Sequence, residues 1–236
     1  MSNPYFRFKQ FTVWHDKCAM KVGTDGVLLG AWAAVGKSHR ILDIGTGTGL
    51  IALMTAQRSL PDARIVALEI DEAAALQAQE NVGRSPWKDR IEVICTDFRL
   101  YRPEEKFDTI VSNPPYFVDS LACPDKQRST ARHNQSLTYT ELIEGAAALL
   151  TDRGELMMVL PTDVEERVRE VAMCNGLYAI RQLNVITKPG GEPKRTLIAF
   201  SFQQQECLTE QLLTERSRHQ YSDEYIALTR EYYLNM

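Results

Sequence analysis

Short apolar runs that alternate with helical stretches constrain the fold of this chain more than any other feature. The runs are "RILDIG" (40–45), "RIVALEID" (64–71), "RIEVICTDF" (90–98), "FDTIVSN" (107–113) and "ELMMVLP" (155–161). The helical stretches are "GLIALMTAQRS", "DEAAALQAQENVGRS", "TYTELIEGAAALL" and "TDVEERVREVAMCNG". Strands that alternate with helices are joined by crossover connections. The sequence therefore predicts an α/β fold, a mostly parallel sheet with helices on both faces.

The last two strand-like runs depart from this pattern. "YAIRQLNVIT" (178–187) and "RTLIAFSF" (195–202) are separated only by "KPGGEPK". Seven residues are too few for a crossover helix, so the two runs should form an antiparallel hairpin. We therefore expect seven strands, of which one is reversed, and this is unusual for a dinucleotide-binding sheet.

Length and composition indicate one domain. A chain of 236 residues that is 44% hydrophobic can bury a full core. Within it we expect an N-terminal lid or substrate segment (1–37), a core (38–202) and a C-terminal helical extension (203–236). The final helix should begin after Ser222, which is its N-cap. We expect this helix to have a structural role, packing on the domain.

Charge and cysteine usage exclude several classes of protein. A formal net charge of -4 argues against indiscriminate coating of nucleic acid. Five widely spaced cysteines without a C-x-x-C pair indicate reduced thiols and no zinc site. The N-terminus lacks the apolar region of a signal peptide, and no run is long enough to span a membrane. We expect a cytoplasmic protein with no metal, no membrane association and no obligate protein partner.

A glycine-rich turn, "LDIGTGTGL" (42–50), joins the first apolar run to the first helical stretch. Glycines permit a tight turn whose backbone can approach a ligand at the start of a helix. The dinucleotide fingerprint G-x-G-x-x-G would need glycine where Leu50 stands, whereas Gly45, Gly47 and Gly49 give G-x-G-x-G. The spacing therefore points away from NAD.

Acidic residues recur at the ends of three successive strands, namely Asp43, Glu69 and Asp97. Glu69 is placed to accept hydrogen bonds from ribose hydroxyls, and Asp97 from an adenine amino group. A glycine turn alone is weak evidence, since many strand-to-helix turns need glycine only for conformation. The three acids favour a ligand site at this edge of the sheet.

The fourth run ends in "SNPPYF" (112–117), an unusual end for a buried strand. One proline would suffice to stop a ladder, because it has no N–H. Here Asn113 precedes Pro114 and Pro114 precedes Pro115, so two successive backbone units are stiff. By itself this could be only a strand that happens to end at prolines.

The motifs "LDIGTGTG", "LEID", "TDF" and "SNPPYF", followed by the hairpin, resemble those of the class I S-adenosylmethionine-dependent methyltransferases, which have a Rossmann-like fold. A longer resemblance, carried by "FKQFTVWHDKCAMKVGTDGVLLGAWA", "ENVGRSPW" and "YSDEYIALTREYYLNM", is to the bacterial tRNA1(Val) adenine-37 N6-methyltransferase family. It implies S-adenosyl-L-methionine as cofactor and tRNA as substrate. It also implies a set of cofactor-binding residues: Asp43, Gly45, Thr46, Gly47 and Gly49 in the loop, Glu69 on the ribose, Asp97 on the adenine amine, and Ile70 and Phe98 on the adenine ring. Ile70 and Phe98 could instead be simple core residues.

The same resemblance gives "NPPY" a chemical role. A base amino nitrogen is a poor nucleophile because its lone pair is delocalised into the ring. Hydrogen-bond acceptors for its two hydrogens, the Asn113 side-chain oxygen and the Pro114 carbonyl, would favour a pyramidal nitrogen, and Tyr116 could stack on an extruded base. In the family, the methyl group moves by direct in-line transfer.

Two further groups of residues remain open to two interpretations. "AMKVGTDGVLLGAW" could be a lid over the cofactor, with Lys21, Thr24 and Asp25 near its sulfonium, or a segment that only closes the core. We expect Lys21, Asp25 and Asn113 among the cofactor-binding residues. Basic residues could form an RNA-binding rim at the carboxyl edge of the sheet, or be solvated surface charges. They are Lys126, Arg128, Arg132 and His133 in one loop, Lys188, Lys194 and Arg195 at the hairpin, and Arg7, Lys9, Lys17 and Lys21 near the N-terminus.

Other functions also stay open. Related "NPPY" enzymes methylate amino groups of other RNA or DNA bases, or a glutamine amide of release factors. Fewer than about 40 residues precede the first strand, which disfavours the glutamine enzymes because these carry an N-terminal helical domain. A non-catalytic module that binds RNA or a protein is the remaining alternative, and the intact "NPPY" argues against it.

Overall fold

The structure is a computed structural model that describes residues 3–18, 21–114, 137–218 and 220–236. Its strands are β1 (Tyr5–Arg7), β2 (Thr12–Trp14), β3 (Arg40–Ile44), β4 (Arg64–Glu69), β5 (Ile91–Cys95), β6 (Phe107–Ser112), β7 (Leu150–Pro161), β8 (Tyr178–Ile186), β9 (Arg195–Ser201), β10 (Leu208–Leu213), β11 (Glu215–Ser217) and β12 (Gln220–Tyr221). Its helices are α1 (Thr24–Trp32), α2 (Leu50–Arg58), α3 (Glu72–Gly83), α4 (Tyr139–Leu149), α5 (Glu165–Cys174) and α6 (Asp223–Thr229).

The main sheet has the strand order β10-β8-β9-β7-β6-β3-β4-β5. Strand β9 is antiparallel to both of its neighbours, β7 and β8, and the other pairings are parallel. The predicted hairpin is therefore confirmed. Strand β3 pairs with β4 on one side and β6 on the other, so the chain winds in opposite directions from this point. Open α/β sheets bind ligands at the carboxyl edge beside such a switch point.

Within the described part of the chain, the sheet has eight strands rather than the expected seven. The additional strand, β10, comes from the segment that the sequence assigned to a helical extension, and it pairs in parallel with β8. Its sequence, "LTEQLL", is mostly exposed, as suits a strand at the edge of a sheet. It therefore lacks the apolar pattern that marks the other strands. The class of fold, α/β with a mostly parallel sheet, is confirmed.

Apolar clusters cover both faces of the sheet. One face packs against α1, α2, the N-terminal hairpin β1–β2 and α6, and the other packs against α4 and α5. Helix α1 lies inside the first cluster, with Gly26 to Trp32 buried. The part of the N-terminal segment that was a candidate lid is therefore core from Gly26 onward, and only its start lies at the rim.

The N-terminal and C-terminal segments pack against each other. Lys9 donates from its backbone N–H to the Tyr232 carbonyl at 2.8 Å, and its ammonium reaches the carbonyls of Arg230 and Met236. The Tyr232 side chain is 1% exposed and donates to the Met54 carbonyl at 3.1 Å. Ser222 caps α6 as predicted, accepting from Tyr225 N–H at 3.0 Å. Among the described residues, no helix combines the length and apolarity needed to cross a bilayer.

Candidate active site

The ends of β3 and β6 are held together at the switch point. Ile44 and Ser112 are register partners, and the Ser112 hydroxyl donates to the Ile44 carbonyl at 2.9 Å. The next residues along the two strands are Gly45 and Asn113. The glycine turn and the "NPPY" segment therefore begin side by side at the carboxyl edge, because neighbouring strands are about 4.8 Å apart.

The glycine turn leaves open space above its backbone. Gly45, Gly47 and Gly49 have φ angles of 72°, 56° and 80°, a region that favours glycine. Among the described residues, no atom lies within 4 Å of the position that a Cβ would take on Gly45 or Gly47. A Cβ on Gly49 would lie 3.4 Å from Ala78 of α3. The turn is thus packed at its last glycine and open at the first two.

Glu69 at the end of β4 organises the backbone of the turn. Its carboxylate accepts from the N–H groups of Gly47 at 2.8 Å, Ile70 at 2.9 Å and Asp71 at 3.0 Å. The N-terminal segment passes close by, since the Lys17 N–H donates to Gln77 Oε1 of α3 at 3.0 Å. Burial, together with the nearby charges of Glu69 and Asp71, raises the pKa of the Cys18 thiol to about 11. A half-buried carboxylate held in this way has lone pairs left for a ligand's hydroxyl groups.

Asp43 lies beneath the turn and is 0% exposed. Its Oδ2 accepts from the Thr46 hydroxyl at 2.5 Å and from Ala52 N–H at 3.1 Å. Its Oδ1 has no hydrogen-bond partner among the described residues. Burial is the main cause that raises the pKa of this carboxyl to about 7, against the lowering effect of the two hydrogen bonds.

The residues after β5 form a second acidic position. Asp97 caps the short turn Phe98–Leu100, and the guanidinium of Arg99 donates to both of its carboxylate oxygens, at distances from 2.6 to 3.0 Å. These hydrogen bonds hold the pKa of Asp97 below its usual value. Phe98 is 7% exposed and packs on Gly145 of α4, whereas Ile70 is 52% exposed. Of the two apolar residues expected to face an adenine ring, Ile70 is the accessible one.

Asn113 and Pro114 lie next to the first turn of α1. Asn113 is half-buried and Pro114 is buried. The Asn113 amide nitrogen lies 3.8 Å from the position that a Cβ would take on Gly26. In the same turn, Asp25 accepts from Arg195 Nε at 2.9 Å. Helix α1 thus links the end of β6 to the hairpin β8–β9.

The chain matches the family model "Methyltransferase small domain" over residues 22–175. The tRNA1(Val) (adenine(37)-N6)-methyltransferase of Bacteroides thetaiotaomicron is 71% identical to it over 236 residues, covering 100% of both chains. The enzyme of the same name from Mannheimia succiniciproducens is 48% identical, covering 98% of this chain and 94% of the relative. The chain belongs to the tRNA1(Val) (adenine(37)-N6)-methyltransferase family. The resemblance inferred from the sequence is thereby confirmed.

Solved structures of lower identity share the fold of this methyltransferase. A predicted O-methyltransferase from Agrobacterium tumefaciens superposes with a TM-score of 0.66 at 20% identity, covering 88% of this chain and 96% of that one. TrmN from Thermus thermophilus superposes with a TM-score of 0.52 at 23% identity, covering 74% of this chain and 46% of that one. The fold is thus that of the class I methyltransferases.

The cofactor of this methyltransferase is S-adenosyl-L-methionine, and the site fits it in three respects. The open turn at Gly45 and Gly47 leaves room for a ligand against the backbone. The Glu69 carboxylate stands beside that space as an acceptor. Ile70 presents an exposed apolar side chain next to it, as the flat face of an adenine requires. Among the described residues, no group of three or more His, Cys, Asp or Glu side chains is arranged to hold a metal ion.

The structure brings together most of the proposed cofactor residues and separates some of the proposed RNA residues. Lys188 and Lys194 are exposed at the hairpin tip, whereas Arg195 is paired with Asp25. Lys17 pairs with Glu80 at 2.5 Å, and this ion pair places it along α3 rather than on a basic rim. Five predicted site residues lie outside the described residues: Tyr116, Lys126, Arg128, Arg132 and His133.

Three interactions in the site were not predicted from the sequence. They are the Ser112 bond to Ile44, the Arg99 clamp on Asp97, and the pair of Asp25 with Arg195. The register of the strands could have indicated the first, and the two-residue spacing of Asp97 and Arg99 the second. The third joins residues 170 positions apart and has no local signal.

We expect Asp43 to make stability depend on pH. Its carboxyl binds a proton more tightly in the folded than in the unfolded chain, so its contribution to stability is lost as the pH rises from about 4 through about 7. The free energy of unfolding of the ligand-free protein should fall by roughly 2 to 3 kcal/mol between about pH 5 and about pH 8 on this account. Urea unfolding of the wild type and of Asp43→Asn at both pH values isolates the effect. Equal pH dependence in the two proteins would show that Asp43 does not titrate in this range.

Proposed function

We propose that this protein transfers the methyl group of S-adenosyl-L-methionine to the N6 amine of adenine 37 in tRNA1(Val). The observation that carries the proposal is the pairing of Ile44 with Ser112, after which the glycine turn and Asn113 begin side by side. The end-to-end identity with relatives named for this reaction supports the choice of substrate. We place the reaction in the cytoplasm, where tRNA is found.

In this proposal Asn113 and Pro114 act on the amine. The cofactor supplies an electrophilic methyl group attached to a sulfonium. The Asn113 side-chain oxygen and the Pro114 carbonyl accept hydrogen bonds from the two amine hydrogens and direct the nitrogen lone pair toward the methyl group. Both acceptors stand on proline-stiffened backbone, so little reorganisation is needed when substrate arrives. The methylated nitrogen is acidic and releases its proton to water, so no strong base is required.

The cofactor roles follow the order of the strand ends. Gly45, Thr46, Gly47 and Gly49 form the turn that holds the methionine part, with Asp43 supporting it from below. Glu69 accepts from the ribose hydroxyls while its bonds to the turn keep the carboxylate in place.

The adenine end of the cofactor lies beyond the ribose. Asp97 meets the adenine amine and shares its oxygens with Arg99. Ile70 covers the ring and Phe98 supports it from the core. Lys21 and Asp25 stand at the rim of the site.

The RNA is proposed to lie over the same edge of the sheet. The segment after β6, with Tyr116 as a stacking platform and Lys126, Arg128, Arg132 and His133 as phosphate-binding groups, and the hairpin with Lys188 and Lys194 would hold it on either side. In this arrangement the chain divides into an N-terminal segment (1–37), a core (38–202) and a C-terminal extension (203–236). The extension contributes the strand that ends at Leu213 to the sheet.

The test is mass spectrometry of nucleosides from tRNA1(Val) incubated with the enzyme and labelled S-adenosyl-L-methionine. We expect label in N6-methyladenosine, and none when adenine 37 of the transcript is replaced by guanine. Label that persists in the substituted transcript would place the reaction at another nucleotide. Label in protein but not in RNA would overturn the choice of substrate.

A further inference from the structure

A groove of about 730 Å³ lies at the carboxyl edge of the sheet, at the opposite end from the cofactor turn. Its walls come from the first turns of α1, from the residues that end β8 and begin β9, from the residues after β10, and from the N- and C-terminal segments. The cofactor turn belongs to β3, β4 and β5, whereas this groove belongs to β8, β9 and β10. It is therefore a second site on the same edge, and Asp25 at the rim of the cofactor site also lines it.

A row of aromatic rings lines one wall of the groove. Phe6 and Tyr233 have ring centroids 5.8 Å apart, Tyr233 and Tyr225 6.5 Å, and Tyr225 and Tyr221 5.1 Å. The row ends at Tyr221, which is 43% exposed and stacks on Tyr225 at an interplanar angle of 29°. Tyr221 is thus a ring held in place from beneath, and such a ring loses little freedom when another flat ring stacks on it.

Cations line the groove beside the rings. Arg7, Lys194 and Arg195 face it together with the acids Asp25 and Glu215. Asp25 is paired with Arg195, while the described residues hold no ion pair that involves Arg7 or Lys194. A groove lined by an exposed tyrosine and two cations is a surface of the kind with which proteins hold single-stranded nucleic acid, stacking a base and neutralising its phosphate.

The groove is connected to the end of β6. Asp25 lines the groove, and its neighbour Gly26 stands against the Asn113 amide. Arg195, on the groove wall, is the register partner of Pro161 at the end of β7, and β7 is the neighbour of β6. A polynucleotide with one nucleotide at Asn113 can therefore continue along the edge of the sheet toward Tyr221.

We infer that this groove binds a second, unpaired nucleotide of the substrate tRNA, with the base stacked on Tyr221 and the phosphate bound by Arg7 and Lys194. The inference rests on the proposed function and adds to it a site for a further nucleotide of the same RNA, several strands along the edge of the sheet from the target adenine. A volume of about 730 Å³ suits one nucleotide, since small-ligand sites measure about 300 to 1,000 Å³. It also gives the C-terminal segment a role in substrate binding beyond packing on the domain.

The test compares Tyr221→Ala with Tyr221→Phe. Dissociation constants are measured by fluorescence anisotropy for the anticodon stem-loop RNA of tRNA1(Val), with S-adenosylhomocysteine present. We expect Tyr221→Ala to weaken RNA binding about 5- to 150-fold, the range for loss of one stacked base, and Tyr221→Phe to stay within about twofold of the wild type. Affinity for S-adenosylhomocysteine should not change in either variant. Wild-type RNA affinity in Tyr221→Ala, or equal losses in the two variants, would overturn stacking on this ring.

A second pair of variants tests the cations independently of the tyrosine. Arg7→Ala combined with Lys194→Ala should reduce the magnitude of the slope of log affinity against log salt by about 0.7, because the one single-strand phosphate that the two side chains bind is no longer neutralised. Lys88→Ala, an exposed lysine in the turn before β5, is the matched control and should leave the slope unchanged. Equal slopes in the double variant and the control would contradict the binding of an RNA phosphate in the groove. Methylation of tRNA by the wild type is measured alongside, so a failure of the proposed function is distinguished from a failure of the groove alone.

Discussion

Replacement of Asn113 by alanine should lower the rate of methyl transfer about 10²- to 10³-fold, the cost of losing one preorganised hydrogen-bonding group in an active site. Single-turnover methylation at saturating S-adenosyl-L-methionine and tRNA measures this step directly. The dissociation constant of the cofactor should change only a few-fold, because the turn at Gly45 and Gly47 and the Glu69 carboxylate do not depend on the Asn113 side chain. The variant should fold, since it loses no large apolar volume.

Asn175→Ala is the matched control for this experiment. Asn175 ends α5 and donates to the Val171 carbonyl at 2.9 Å, away from the strand ends that form the site. Its loss should leave the rate of methyl transfer unchanged. A rate for Asn113→Ala within about tenfold of the wild type would refute the proposed role of Asn113. Loss of cofactor binding together with the rate would make Asn113 a cofactor residue instead.

Replacement of Glu69 by alanine should weaken S-adenosyl-L-methionine binding by roughly 1.5 to 3 kcal/mol, the range for a hydrogen bond to a charged group. Two effects add in this variant. The ribose loses its acceptor, and the N–H groups of Gly47, Ile70 and Asp71 lose the carboxylate that orders them. We therefore expect the upper part of this range, measured by isothermal titration calorimetry.

Glu72→Ala separates the specific role of Glu69 from its charge. Glu72 is an exposed acid in the first turn of α3, three residues further along the chain. Its removal changes the net charge equally but breaks no bond to the glycine turn, so affinity should stay within about twofold of the wild type. Equal affinities of the Glu69 variant and the wild type would mean that the cofactor site is misplaced.

The sequence was sufficient to predict the parallel sheet, its reversed strand and the glycine turn. Each of these leaves a local signal: apolar runs at regular spacing, a seven-residue link, and glycines where φ is positive. Strand β10 left none, because an exposed strand at the edge of a sheet needs only one paired side and few apolar residues. Only the structure, in which β10 pairs with β8, gives its position in the sheet.

The residues of the candidate site also fall into those that a local sequence signal marks and those that it does not. Glu69 and Asn113 stand at strand ends, and the alternation of strands and helices brings all such ends to one edge. The groove at Tyr221 could not be predicted, because it joins residues 6 and 7 to residues 221 to 236 through packing of one terminal segment on the other. Packing of that kind depends on tertiary structure and leaves no periodicity in the sequence.

The bonds from Lys9 to the C-terminal segment set the time at which a newly made chain can finish folding. The Lys9 ammonium donates to the Arg230 carbonyl, which is synthesised 221 residues later in the chain. At roughly 5 to 20 residues per second, translation takes about 10 to 45 s to supply that partner. During this interval β1 and β2 have no C-terminal segment to pack on, and Phe6 and Phe8 lack their contact with the Tyr233 ring. A chain whose translation stalls before Tyr232 would keep this apolar surface open to chaperones and proteases.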